Sequence, residues 1–462
     1  MMIFGGVGAR WNNLLRGEGL ASKAMRGGAL TLISFGGSQV LRLASNLILT
    51  RLLFPEAFGL MALVYVFMQG LNNFSDVGIT PAIMQSKRGD DPKFLDTAWT
   101  IQIARGFILW MVTFVLAAPA AHFFDAPLLT QLLPAIGITL FIAAFNPTRL
   151  DTANRHLNFG RLTIIELVTQ IGALIVAIIA AYILQSVWAL VISGILGAVV
   201  QLILLTRFLP GHRNRLAWDK TASVELINFG KWVFLSTAVG FFLSQGDKII
   251  LGKYLQLETL GIYNIGFFLA SFPLLLGGTV TRRILIPIYR ERPPKGSRSN
   301  FLKLRKMRIL LSFVLLSALS VVALWSGPII ELLYDPRYRL AGGILVMIAC
   351  AQLPQVIVLT YDQAALATGD TRRFFVLTLA RTVLLIAGLW LGVEIGGLAG
   401  ALVGHGLAMV AVYPVVVWLA RHQGTWDPLH DFLFAALGFA LMGLALWLNQ
   451  DHVAAVFALN SP

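Results

Sequence analysis

The stretch LTLISFGGSQVLRLASNLILTRLLFPEAFGLMALVYVFMQGLNNFSDVGITPAIMQ, Leu30 to Gln85, decides the fold. Its first apolar run, Leu30 to Thr50, carries Ser38, Gln39, Arg42, Ser45 and Asn46. Spacings of three, four and seven put these on one stripe of a helix. A short link, Arg51 to Gly59, contains Pro55 and Glu56. A second apolar run carries Gln69, Asn72, Asn73, Asp76 and Thr80, again on one helical face. Two membrane-length helices with a polar fourth side cannot face lipid all round. Their polar sides meet each other or line a wet cavity.

Composition extends this reading to the whole chain. Of 462 residues, 57% are hydrophobic and 13% charged, and the mean hydropathy is +0.77. That excludes an ordinary soluble domain and fits an all-α polytopic membrane protein. The formal charge of +14 invites a nucleic-acid reading. The basic residues instead alternate with apolar runs, as topology signals do, so no nucleic-acid partner is expected.

Spans are expected near 29–50, 58–84, 97–119, 129–147, 162–184, 187–209, 228–252, 259–281, 307–333, 343–366, 373–393 and 397–420. A run at 432–449 is a possible thirteenth. With a cytoplasmic N-terminus, the inside connections collect most lysines and arginines: Lys87, Arg88 and Lys93, then Arg149, Arg155 and Arg161, then Arg207 to Lys231. The outside connections hold little beyond Arg51, Lys253, Arg337 and Arg339. That asymmetry sets the orientation. Arg282 to Arg308 is expected as the largest non-membrane stretch, a basic tether against acidic lipid. Residues 1–27 are basic, without an apolar core and cleavage site, so no removable signal peptide is expected and the first span serves for insertion.

The chain also repeats. At an offset of 202, Ile48, Leu49, Leu53, Glu56 and Gly59 meet Ile250, Leu251, Leu255, Glu258 and Gly261. The offset holds six spans, so both copies start on the same side. The expected organisation is therefore a basic segment (1–27), two parallel-repeat six-helix lobes (28–215 and 222–421) and an extra apolar helix (430–462).

A charge inside a span costs about 3 kcal/mol on insertion scales, so it usually faces the bundle interior. The cations are Arg42, Arg105, Lys248 and Arg381, and the acids include Asp76, Glu166, Asp247 and Asp362. Glu166 apart, these are candidate lumen residues together with Asn46 and Asn72, and Arg42, mid-span in the first helix, leads. A cationic lumen suits phosphate, because the planar arginine fork binds two oxygens at once. Buried ion pairs that tie helices together would use the same residues. Gly36-Gly37, Gly277-Gly278 and Gly396-Gly397 are read as sites of close helix packing.

Enzyme signatures are missing. There is no phosphate-cradling glycine loop ending in Lys-Ser or Lys-Thr and no Gly-x-Ser-x-Gly turn. The seven histidines have no metal-ligand spacing, and the single cysteine, Cys350, permits neither an internal disulfide nor a cysteine metal cluster. The chain reads as a non-enzyme without cofactor.

Ala44 to Leu60, Phe74 to Ile79, Gln85 to Arg88, Thr97 to Trp99, Gly246 to Tyr254 and Leu260 to Tyr263 together resemble bacterial polysaccharide transporters. The family is the Wzx-like oligosaccharide flippases, in the MOP superfamily with lipid II flippases and MATE exporters. The resemblance implies two six-helix lobes around a V-shaped cavity in the inner membrane. It implies a substrate of oligosaccharide linked through pyrophosphate to undecaprenol, moved from the cytoplasmic to the periplasmic leaflet, with polymerase and chain-length proteins as possible partners. Cationic lumens are described for such flippases, and Asp247 beside Lys248 departs from that pattern. The alternatives are a cation-coupled exporter of the MATE type, which wants an acidic lumen, and a membrane enzyme acting on the same lipid carrier, which wants a catalytic cluster.

Overall fold

A computed structural model describes residues 20–76, 78–156, 159–291 and 293–459. Of the basic segment 1–27, residues 1–19 lie outside the described residues, and 20–27 already belong to the first helix. The described residues form helices, turns and links. In chain order the helices are α1 (Leu20–Leu52), α2 (Pro55–Phe74), α3 (Ile79–Gln85), α4 (Pro92–Phe123), α5 (Leu129–Ala144) and α6 (Arg149–Arg155). Then come α7 (Phe159–Leu184), α8 (Trp188–Phe208), α9 (Lys220–Tyr254), α10 (Leu257–Glu291), α11 (Arg298–Leu324) and α12 (Ser326–Leu333). The last are α13 (Ala341–Val358), α14 (Tyr361–Ala367), α15 (Thr371–Ala411), α16 (Tyr413–Gln423), α17 (Pro428–Leu448) and α18 (Gln450–Ala458).

Among the described residues, nine helical stretches are long and apolar enough to cross a membrane, or ten if the bent pair α5–α6 counts as one. One of the nine, Thr371–Gln423, runs 53 residues, over twice the roughly 20 that a crossing needs. The run left open at 432–449 is among them, as α17. Large apolar side chains such as Val115, Tyr182 and Ile395 are more than 70% exposed, as lipid-facing surfaces require. The protein is an all-α polytopic membrane protein.

Several expected spans are broken, each for a visible reason. The 58–84 run ends as a helix at Phe74. Asp76 Oδ1 there accepts the Gly78 amide at 2.8 Å, and Gly78 takes φ 65°. That side-chain turn competes with continuing the helix, and α3 begins at Ile79. Asp76 therefore sits at a break rather than on the stripe of Asn72. The 343–366 run stops at Val358, so Asp362 lies on the separate helix α14. The expected tether Arg282 to Arg308 is nearly all helix: α10 runs to Glu291, one 3-10 turn follows, and α11 starts at Arg298.

The chain divides into two compact units. One is the chain up to Leu53 together with Phe67–Thr237, and the other is Phe54–Val66 with Ala238–Pro462. In the first, α4 and α5 pack closely. A Cβ on Gly106 would lie 2.3 Å from Ala144, and one on Gly137 would lie 2.6 Å from Thr113. Trp110 stacks on Phe141 with centroids 5.6 Å apart. The polar end of this unit is tied by Arg88, which bonds Asp91 at 2.9 Å and lies near Asp219 and Glu225. The hydrogen bond from Arg88 holds the Asp91 carboxyl below its ordinary range.

In the second unit, α15 is a hairpin in all but name. Gly396 and Gly397 leave helical geometry, Gly397 at φ 51°. The two arms then touch backbone to backbone: a Cβ on Gly392 would lie 2.2 Å from Gly400 O, and one on Gly388 2.4 Å from Gly404 O. The close packing expected of Gly396-Gly397 is thus found one and two turns away, while those two glycines make the turn. The repeated glycines meet as well. A Cβ on Gly59 would lie 2.0 Å from Leu257 O, and one on Gly261 2.0 Å from Pro55 O. Gly59 and Gly261 stand 202 positions apart, and both contacts fall within the second unit.

Candidate functional site

The four cations expected inside spans have different surroundings; α4 and α15, which carry Arg105 and Arg381, belong to the nine membrane-length stretches among the described residues, whereas α1 and α9, which carry Arg42 and Lys248, do not. Arg105, near the middle of α4, donates from Nε to Ser75 Oγ and from Nη2 to the Asn72 carbonyl, each at 2.9 Å. Ser75 and Asn72 are available because α2 ends there, its last carbonyls lacking helical donors. Neutral oxygens thus hold the guanidinium, and Asp76 acts on it only through space. The cation keeps its charge where it can meet an anion.

Arg381 and Lys248 are matched to acids. Arg381 Nη1 lies 3.0 Å and Nη2 3.4 Å from the two Asp362 carboxylate oxygens, a forked pair with both side chains mostly buried. Lys248 Nζ is 3.7 Å from Asp247 Oδ1 and lies over the Phe267 ring at 5.1 Å. Asp247, 6% exposed, also accepts from Tyr263 Oη at 2.7 Å. His405, itself buried, is close enough to feel the Asp247 charge. The sequence stripe contained Asp247 and Lys248, but not Tyr263 or His405, which reach them from α10 and α15. Arg42 is exposed on α1 and Asn46 is half-buried one turn on. Asn72 is exposed and contributes its carbonyl to Arg105.

A second polar assembly escaped sequence reading altogether. His430 donates or accepts at Ser312 Oγ (3.0 Å, Nε2) and Asp431 Oδ1 (2.9 Å, Nδ1). Tyr361 and Tyr413 donate to the two Asp431 oxygens at 2.8 and 2.9 Å. Arg305 pairs with Asp427 at 2.7 Å, and Arg308 lies 4.5 Å over the Tyr361 ring. Ser312–His430–Asp431 has the order of a hydrolytic triad. Ser312 is 1% and His430 2% exposed, however, and every member bridges helices. The assembly fastens α17 to α11, α14 and α16. Its only sequence signal was acids and a histidine at the start of an apolar run.

A family of polysaccharide biosynthesis proteins matches residues 48–341, well over half of the chain. The chain belongs to this family. The match takes in Asn72, Asp76, Arg105, Asp247 and Lys248 and stops before Asp362 and Arg381. This polysaccharide biosynthesis protein is 23% identical over 394 residues to the teichuronic acid biosynthesis protein TuaB of Bacillus subtilis, covering 82% of this chain and 79% of TuaB. It is 20% identical over 378 residues to the lipopolysaccharide biosynthesis protein WzxC of Escherichia coli, covering 80% and 75%. Among solved structures, an inward closed conformation of the lipid II flippase MurJ superposes with a TM-score of 0.67 at 14% identity, covering 94% of this chain and 97% of MurJ. An inward-facing multidrug MATE transporter of the MOP superfamily gives 0.63 at 14%, covering 83% and 94%. The fold is that of the MOP transporters.

Proposed function

We propose that this polysaccharide biosynthesis protein is a flippase. It moves oligosaccharide repeat units linked to undecaprenyl pyrophosphate from the cytoplasmic to the periplasmic leaflet of the bacterial inner membrane. The N-terminus is cytoplasmic, and twelve or thirteen spans form two parallel six-helix lobes, 28–215 and 222–421, that alternate access to a lumen between them. Polymerase and chain-length proteins take the product. The reciprocal approach of Gly59 and Gly261 supports the parallel repeat.

One observation carries the reading. Arg105 is held inside a span by neutral oxygens, so its charge is not cancelled by direct contact with an acid. An isolated pyrophosphate in hydrocarbon costs on the order of tens of kcal/mol. A fixed guanidinium in a wet cleft replaces its water, while the polyprenyl chain stays in lipid. An inside-negative potential favours outward movement of the anion by about 2.3 kcal/mol per charge per 100 mV. Among the lumen candidates, Arg105 and Arg42 bind the diphosphate, with Asn46 and Asn72 on hydroxyls. Asp76 tunes Arg105. The pairs Asp247–Lys248 and Asp362–Arg381 exchange partners or hold shape as the lobes move. The acidic lumen that a MATE-type cation exporter would want finds no support in this set of cations.

The test is complementation. In cells lacking the gene, Arg105→Ala and Arg42→Ala are expected to abolish polysaccharide export with the protein still in the membrane, and the lysine variants to restore it in part. Normal export in both alanine variants would remove the assignment.

A further inference from the structure

A cavity of about 740 Å³ opens in the first unit where α6, α7 and the link after α8 meet. Its wall includes Asp90, Thr152, His156, Arg161, Gly211 and His212. The volume is typical of small-molecule sites, about 300–1,000 Å³.

The charges in this wall are not balanced evenly. Asp90 is taken up twice, by His156 Nε2 at 2.8 Å and by Arg155 Nε at 3.2 Å. His212 is fixed through Nε2 to Asp96 at 2.7 Å, and Asp96 also accepts the Arg215 amide at 3.0 Å. Both imidazoles are therefore oriented through one nitrogen, with Nδ1 left for a ligand. Arg161 is exposed in the first turn of the 26-residue helix α7 and has no carboxylate partner among the described residues. The amide end of α7 adds positive potential at the same wall. Gly211, at φ 141°, brings bare backbone to the cavity, and Arg149 braces it by donating to the Leu209 carbonyl at 2.6 Å.

One unmatched arginine on a helix N-terminus suits a phosphate oxygen. Two oriented ring nitrogens and the Thr152 hydroxyl suit sugar hydroxyls. We propose that this cavity binds a sugar phosphate at the polar end of the first unit, outside the apolar spans. The site stands independently of the transport reading. Only the identification of its ligand with the head of a lipid-linked oligosaccharide rests on that reading.

The full-length protein in nanodiscs of phosphatidylcholine is titrated calorimetrically with glucose 1-phosphate and with inorganic phosphate. The same titration is repeated with phosphatidylglycerol in the disc. Saturable binding of glucose 1-phosphate, tighter than inorganic phosphate and indifferent to phosphatidylglycerol, is expected. Arg161→Glu weakens it by about tenfold or more, and Arg161→Lys retains most of it. Thr152→Val gives a smaller loss, and unchanged melting temperatures show that the variants are folded. Equal affinity in Arg161→Glu, or no saturable binding, overturns the site. Phosphate binding as tightly as the sugar phosphate, or displacement by phosphatidylglycerol, overturns the sugar-phosphate assignment. Either failure leaves export by the Arg105 variants as the separate measure of the flippase reading.

Discussion

At the scale of single residues, what matters is which charge has a partner. Asp151, buried on α6, has its carboxyl pushed up to about 6 by loss of solvent, partly offset by a hydrogen bond from Thr80. The folded value lies above the unfolded one near 3.8, so the folded state binds the proton more tightly. Its contribution to stability is complete below about pH 4 and is lost as pH rises through about 6. Asp151→Asn is therefore expected to raise the melting temperature at pH 7.5 and to change it little at pH 4, measured in detergent on the purified protein. No gain at pH 7.5 would mean that the wild-type carboxylate is solvated or paired. The sequence placed Arg105, Arg381 and Lys248 in apolar runs. It did not show which were already matched, because Asp362 lies on α14, a helix separate from α13, and meets Arg381 of α15 only in the fold. Arg42 led the sequence reading on position alone, whereas the contacts of Arg105 give it the stronger geometric case.

At the scale of elements, glycine and proline positions decide where apolar runs stop being one helix. Hydropathy located most of the runs, because each crossing needs about 20 apolar residues, but α1 and α9 are not among the nine stretches that qualify among the described residues. It could not locate Asp76–Gly78, the break at Trp325 or the turn at Gly396–Gly397, because local hydrogen bonds and backbone dihedrals set those. The hairpin of α15 gives a paired prediction. Gly392→Leu forces side-chain atoms into the Gly400 backbone, which lies 2.2 Å from even a Cβ. It should cost several kcal/mol, of order 3, and lower the amount of folded protein sharply. Gly396→Ala has nothing within 4 Å of its Cβ and an accessible negative φ, so it should leave melting nearly unchanged. The pair is read by fluorescence size-exclusion and thermal melting. Equal stability of the two variants would contradict the packing described for the hairpin. The network around Asp431 was invisible in sequence for a related reason: its members lie on four helices far apart in the chain.

At the scale of the whole molecule, the account requires that a charged, sugar-bearing head pass through while its lipid chain does not enter the lumen. Nothing in that requirement needs a nucleotide, since the membrane potential already drives the anion outward. The class of fold was legible from composition and from the length of the apolar runs, since both reflect a constraint of the bilayer itself. The sugar that is carried was not legible, because its recognition depends on side chains brought together from separate helices. The most direct test places the purified protein in sealed liposomes containing an undecaprenyl pyrophosphate-linked oligosaccharide. The fraction of glycan open to a membrane-impermeant glycosidase is then followed in time. The account predicts that wild-type protein makes the inner-leaflet pool accessible without ATP, and that Arg105→Ala slows this to about the rate of protein-free vesicles. Glycan that stays inaccessible with the wild type, or moves equally fast in Arg105→Ala, would contradict it.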